Sequence, residues 1–171
     1  SGYMANVYVP EGVALAVPDF SSANEESLDV MVQQVRRATL YLYQNGRKFM
    51  IDPDKIFLCG HSSGAHLAAN IAVTNWSKFE APQDMIKGVT LVSGPYDLEP
   101  VHLSARNKYL RLDEQSARAL TPQTHLRPGL APAIFAWGGL ELDEFQRQST
   151  SLADAWENQG MNVKRLFFQF K

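Results

Sequence analysis

The chain has 171 residues, 45% of them hydrophobic, and 16 basic against 18 acidic side chains leave a formal net charge of −2. That size sets the expectation of one domain over residues 1–171, and the balanced charge offers no basic field for nucleic acid and no charged tail. The apolar runs are strand-length, too short to cross a membrane, and the opening residues lack the charged, apolar and small-residue regions of a signal peptide.

In chain order, Gly12 to Val17 is a short apolar run closed by Pro18-Asp19 and predicts a buried strand. Leu28, Met31, Val35, Ala38 and Leu42 recur at helical spacing, with Ser27 as the N-cap and Gly46 as the stop. Ile56 to Cys59 follows an Asp52-Pro53-Asp54 turn signal and predicts a strand, and Ala65 to Val73 predicts a helix of small residues. Cys59 is the only cysteine, so no internal disulfide forms. Its apolar setting predicts a buried structural thiol, and a reducing cytoplasmic location fits.

Val89 to Val92 and Ala133 to Trp137 are further strand candidates, broken at Gly94-Pro95 and Gly138-Gly139. Between them, Glu99 to Arg127 carries charges, prolines and weak helical spacing from Leu110 to Leu120, and is expected to fold over the carboxyl edge of a sheet. Phe145, Ser149, Leu152 and Trp156 share a helical face that Gly160 ends, and Val163 to Phe170 predicts the last strand. Strands alternating with helices imply a three-layer α/β/α sandwich, its mostly parallel sheet covered by helices on both faces.

Between the strand at Ile56 and the helix at Ala65 lies Gly60-His61-Ser62-Ser63-Gly64, a G-x-S-x-G pattern. Such a pattern arises by chance in loops, but a strand before it and a helix after it make the elbow on which an α/β-hydrolase presents its nucleophile. Ser62 is the nucleophile candidate, held at a strained tip, with Gly60 and Gly64 allowing strand and helix to approach. The N–H of Ser63, at the helix start, is the oxyanion-donor candidate, and one such donor is worth roughly 3–4 kcal/mol of barrier.

A serine nucleophile needs a base and a carboxylate to orient it, in the chain order serine, acid, histidine. The loop after Gly139 holds Glu141, Asp143 and Glu144. Acidic residues in the first turn of a helix also oppose its dipole, which accounts for Asp143 and Glu144 and favours Glu141 as the acid, with Asp143 as runner-up. No histidine follows the acid. His61 is a variable elbow position, His66 lies beneath the nucleophile on its own helix, and His102 and His125 precede the acid loop. No His/Asp/Glu set has metal-ligand spacing, and no cofactor is called for.

The blocks Gly60-His61-Ser62-Ser63-Gly64-Ala65-His66-Leu67-Ala68, Ser93-Gly94-Pro95-Tyr96-Asp97-Leu98-Glu99-Pro100, Asn107 with Leu110 to Asp113, and Glu144-Phe145-Gln146-Arg147-Gln148-Ser149 closely resemble arylformamidases (kynurenine formamidases), from about Tyr3 to the last residue. The resemblance implies an α/β-hydrolase that cleaves the formamide of N-formylkynurenine in tryptophan breakdown, with Ser62 as nucleophile and Glu141 at the acid position. It also implies a His-Gly-Gly stretch before Ser1 and a histidine block after Lys171, so the chain is expected to lack parts of the fold at both ends. The expected partner is a small aryl formamide or ester, with no nucleic acid or membrane, and homodimerisation left open. Tyr96 and Asn107 are pocket candidates, with loop packing as the alternative role. Two other readings stand beside this one: a general carboxylesterase of the same fold, and a catalytically inactive binding or scaffold protein.

Overall fold

The structure, a computed structural model, describes residues 4–169. It opens with a single helical turn, α1 (Ala5–Tyr8). The stretch Gly12 to Val17, expected as a buried strand, pairs with no strand among the described residues, and Val13 and Val17 are exposed. β-favouring side chains do not make a strand unless a neighbour takes up the backbone N–H and C=O groups.

The helix α2 (Leu28–Asn45) begins as its sequence predicts: the Ser27 hydroxyl accepts the Val30 N–H at 3.4 Å, and Leu28, Met31, Val32 and Val35 are buried. Next come β1 (Ile56–His61), α3 (Ser63–Ala72) and β2 (Ile86–Val92). The excursion after β2 holds three short helices, α4 (Glu99–His102), α5 (Asn107–Leu110) and α6 (Glu114–Ala119). Asp113 and Ser116 cap α6 reciprocally, which starts a helix in a segment whose apolar spacing is weak. The strand β3 (Ala133–Gly138), the helix α7 (Asp143–Asn158) and the strand β4 (Val163–Phe168) complete the order. Gly160, at φ 87°, turns the chain after α7, as a left-handed glycine does. The expected end of the last strand at Phe170 lies outside the described residues.

The four strands form one sheet in the order β1-β2-β3-β4, every pair parallel. Ala65, Ala68, Ala69 and Ala72 of α3 and Leu152, Ala153 and Trp156 of α7 share one core with Val89, Leu91, Ala133, Phe135 and Trp137 of the sheet. Alanines bring α3 close to the strands, and Trp156, fully buried, donates its indole N–H to the Ala131 carbonyl at 2.9 Å. Leu28, Met31, Val32 and Val35 of α2 pack over Leu67 and Ile71 of α3.

These helices gather on one face, so among the described residues the sheet is covered on that face and not on both as the alternation of strands and helices implies. The register aligns Cys59, Thr90, Ile134 and Lys164 on the other, next to the row of Phe57 and Gly88. β1 is the edge strand of the described sheet, so Phe57 is 66% exposed and Cys59, expected to be buried, is exposed as well. An apolar run does not say on which side of a strand its neighbours lie.

Candidate active site

The chain turns at Ser62 with φ 55° and ψ −124°, a conformation that costs a non-glycine residue about 1–3 kcal/mol. The turn is compact because Gly60 has no side chain: a Cβ there would collide with the Gly64 carbonyl and the Ala65 nitrogen. Gly64, expected to matter for the same reason, would meet nothing within 4 Å, so only the first elbow glycine is required by close approach. Ser62 is half-buried, and its hydroxyl makes no hydrogen bond among the described residues. The Ser62 carbonyl accepts the N–H groups of Ala65 and His66, the first bonds of α3. The Ser63 N–H precedes them and lies at the positive end of the helix.

The end of β2 ties this elbow to the acid loop. The Val92 carbonyl accepts the Ser62 N–H at 2.8 Å, and the hydroxyl of the next residue, Ser93, donates to Glu141 Oε1 at 2.6 Å. Oε1 also accepts the Gly138 N–H at 2.8 Å, whereas Oε2 is buried without a partner among the described residues. Gln146 steadies the loop by donating to the Glu141 carbonyl at 2.8 Å. Ser62 and Glu141, 79 positions apart, thus stand on the same carboxyl edge of the sheet. Sequence reasoning missed Ser93. Its signal was its place at the end of the strand next to the elbow, masked by a Ser-Gly-Pro run that reads as a plain turn.

The other acidic residues of the loop are placed differently. Asp143 is exposed in the first turn of α7, where its charge opposes the helix dipole. Glu144 accepts from Arg147 at 2.7 and 2.8 Å and from Gln148 at 2.7 Å, and chiefly the bond from Arg147 lowers its pKa to about 2.

Of the pocket candidates, Tyr96 is 2% exposed and packs edge-on against Phe135, in space that a Cβ on Gly94 would fill. Burial, with the charge of Glu141 adding, pushes its pKa well up, and its hydroxyl has no partner among the described residues. Asn107 spends its amide on Leu112, accepting its N–H at 2.7 Å and donating to its carbonyl at 2.9 Å. Both side chains are thus engaged in packing and turn formation. Two surface depressions, of about 610 and 460 Å³, are lined by neither Ser62 nor Glu141.

The histidines are accounted for in the same way. His61 is exposed at the end of β1. His102 Nδ1 and His125 Nε2 donate to the carbonyls of Leu112 and Ala119 at 2.8 and 2.7 Å. His66 is buried, and its Nε2–H donates to the Leu120 carbonyl at 2.8 Å, which Asn70 also reaches at 3.0 Å. Burial lowers the His66 pKa to about 4. Unfolded, the same imidazole titrates near 6.5, so between those values the unfolded chain binds the extra proton and stability falls as pH falls. The window is worth about 3 kcal/mol. Chemical denaturation from pH 7 to pH 5, where most carboxylates stay ionised, should show about 2 kcal/mol of that loss, and His66→Gln should flatten it.

A parallel sheet whose strand runs through a strained serine into a helix, with a carboxylate at the same edge, defines an α/β-hydrolase, as the sequence led us to expect. The chain belongs to the BD-FAE family, which matches residues 1–136. It is 36% identical over 170 residues to a kynurenine formamidase of Salmo salar and 32% identical over 168 residues to one of Danio rerio. Each match covers 95% of this chain and 56% of the relative, so the chain spans little more than half the length of the curated relatives it matches. The fold is also that of a hyperthermophilic esterase from the archaeon Pyrobaculum calidifontis, with a TM-score of 0.74, 19% identity, and coverage of 88% of this chain and 55% of the other. Among the described residues no helix is long and apolar enough to cross a membrane, and no group of three or more His, Cys, Asp or Glu side chains is placed to hold a metal ion.

Proposed function

We propose that this chain carries the nucleophile and the acid of a serine hydrolase that removes a small formyl or acyl group from an aryl amide or ester. The observation that carries the reading is the pairing of a left-handed Ser62 with Glu141, whose free oxygen is buried on the same sheet edge. The names of the curated relatives favour a formamide such as that of N-formylkynurenine, a reaction of tryptophan catabolism. Leu140 and Leu142, exposed on the acid loop, offer apolar surface suited to an aryl group.

In this mechanism an imidazole takes the Ser62 hydroxyl proton as Oγ attacks the carbonyl carbon, and the Ser63 N–H donates to the oxyanion. The C–N or C–O bond then breaks, and the leaving group departs with that proton. Water attacks the acyl-serine and frees the acid. Glu141 Oε2 is the acceptor for the Nδ1–H of the imidazole, and none of the four histidines of this chain is placed to reach it. The base therefore comes from other residues. Tyr96 shapes the site from beneath, and the setting we assign is the cytoplasm.

The test is covalent labelling by a fluorophosphonate, with the modified residue located by mass spectrometry. Labelling confined to Ser62 is expected in the protein that includes the imidazole base. There, an unreactive Ser62 or a label on another residue favours the inactive scaffold. The ratio of N-formylkynurenine to p-nitrophenyl acetate turnover separates a formamidase from a general carboxylesterase.

A further inference from the structure

Ser93 has φ 51°, left-handed although not glycine, and is 7% exposed. Its backbone N–H donates to the Ala136 carbonyl at 3.0 Å, which locks it between β2 and β3. Its hydroxyl donates to Glu141 Oε1 at 2.6 Å, a short bond of the kind made to an ionised acceptor. With the Gly138 N–H on the same oxygen, both donors fall on one side of the carboxylate and Oε2 is left open. Two donors from different strands fix the carboxylate plane, which a single bond would leave free to rotate. The Val92 carbonyl, one residue earlier, holds the Ser62 N–H. The last turn of β2 is therefore a common reference for nucleophile and acid.

We propose that Ser93 is a positioning residue: its hydroxyl pins Glu141 by Oε1 so that Oε2 is aimed at the imidazole of the triad. The proposal rests on Glu141 being the acid. The strain at Ser93 has this bond as its return, since glycine would sit at φ 51° without cost but could not hold the carboxylate.

The test replaces Ser93 by glycine, which suits the backbone and removes only the hydroxyl, and by alanine as a second variant. The Glu141 carboxyl is followed by its ¹³C NMR chemical shift in the labelled chain, a readout that needs neither turnover nor the base. Loss of the donor should move that resonance in Ser93→Gly, with the thermal midpoint unchanged or higher. In the protein that includes the imidazole base, the rate of fluorophosphonate labelling at Ser62 should fall about 10- to 100-fold. An unmoved Glu141 resonance in a folded Ser93→Gly chain overturns the proposal. If the resonance moves while Glu141→Ala leaves labelling of the base-bearing protein unchanged, the pinning stands and the assignment of Glu141 as the acid fails.

Discussion

In the protein that includes the imidazole base, replacing Ser62 by alanine is expected to abolish fluorophosphonate labelling and to lower hydrolysis of an aryl formamide or ester on the order of a millionfold, to the rate that oxyanion donors and binding sustain alone. The size of the effect follows from the mechanism, because Ser62 Oγ is the atom that forms the acyl-enzyme. Ser93, at the end of the neighbouring strand, is committed to Glu141. A companion measurement separates chemistry from folding. Ser62→Gly removes the nucleophile and also relieves the φ of 55°, while adding the backbone entropy of glycine. The two contributions leave a net stabilisation of about 1 kcal/mol. An inactive but more stable Ser62→Gly is the signature of strain kept for function. A Ser62→Ala chain that is still labelled would end the assignment.

The largest effect on stability is expected at Gly60. A methyl group there would overlap the Gly64 carbonyl and the Ala65 nitrogen, backbone atoms of the opening turn of α3 that cannot rotate away. Overpacking of this kind costs about 1–3 kcal/mol where side chains can yield, and more where the obstacle is main chain. Gly60→Ala should therefore lose at least 3 kcal/mol in chemical denaturation and displace Ser62 from the Val92 carbonyl, ending labelling. Gly64→Ala, four residues on, faces open space and should change stability by no more than about 0.5 kcal/mol. Equal effects at the two glycines would show that the elbow is not held by the contact between β1 and α3.

Both predictions concern a motif visible in five residues, and its legibility has a local cause. A strand, a turn and a helix are each specified by nearest neighbours: the apolar run from Ile56, the small residues around Ser62, and the uninterrupted helix formers after Gly64. The same holds for α2, whose Ser27 cap and apolar spacing were sufficient, and for Glu141, set apart from Asp143 and Glu144 by lying before the helix begins.

What failed were statements about neighbours. Gly12 to Val17 has the composition of a strand but joins no ladder among the described residues, and Cys59 has the surroundings of a core residue on a strand that is the edge of the described sheet. For Tyr96 the sequence leaves pocket lining and loop packing both open, and its ring packs into the core against Phe135.

The sequence by itself determined the order of the main strands and helices from α2 to β4, the elbow with its serine, and the carboxylate after β3, because these depend on spacing along the chain. Only the tertiary structure decided which glycine the elbow requires, which oxygen of Glu141 is held and which is free, and that Ser93 holds it. The glycine is decided by the backbone path that brings Gly60 against Gly64 and Ala65, and the carboxylate by an approach through space between residues 48 positions apart, which no local pattern encodes.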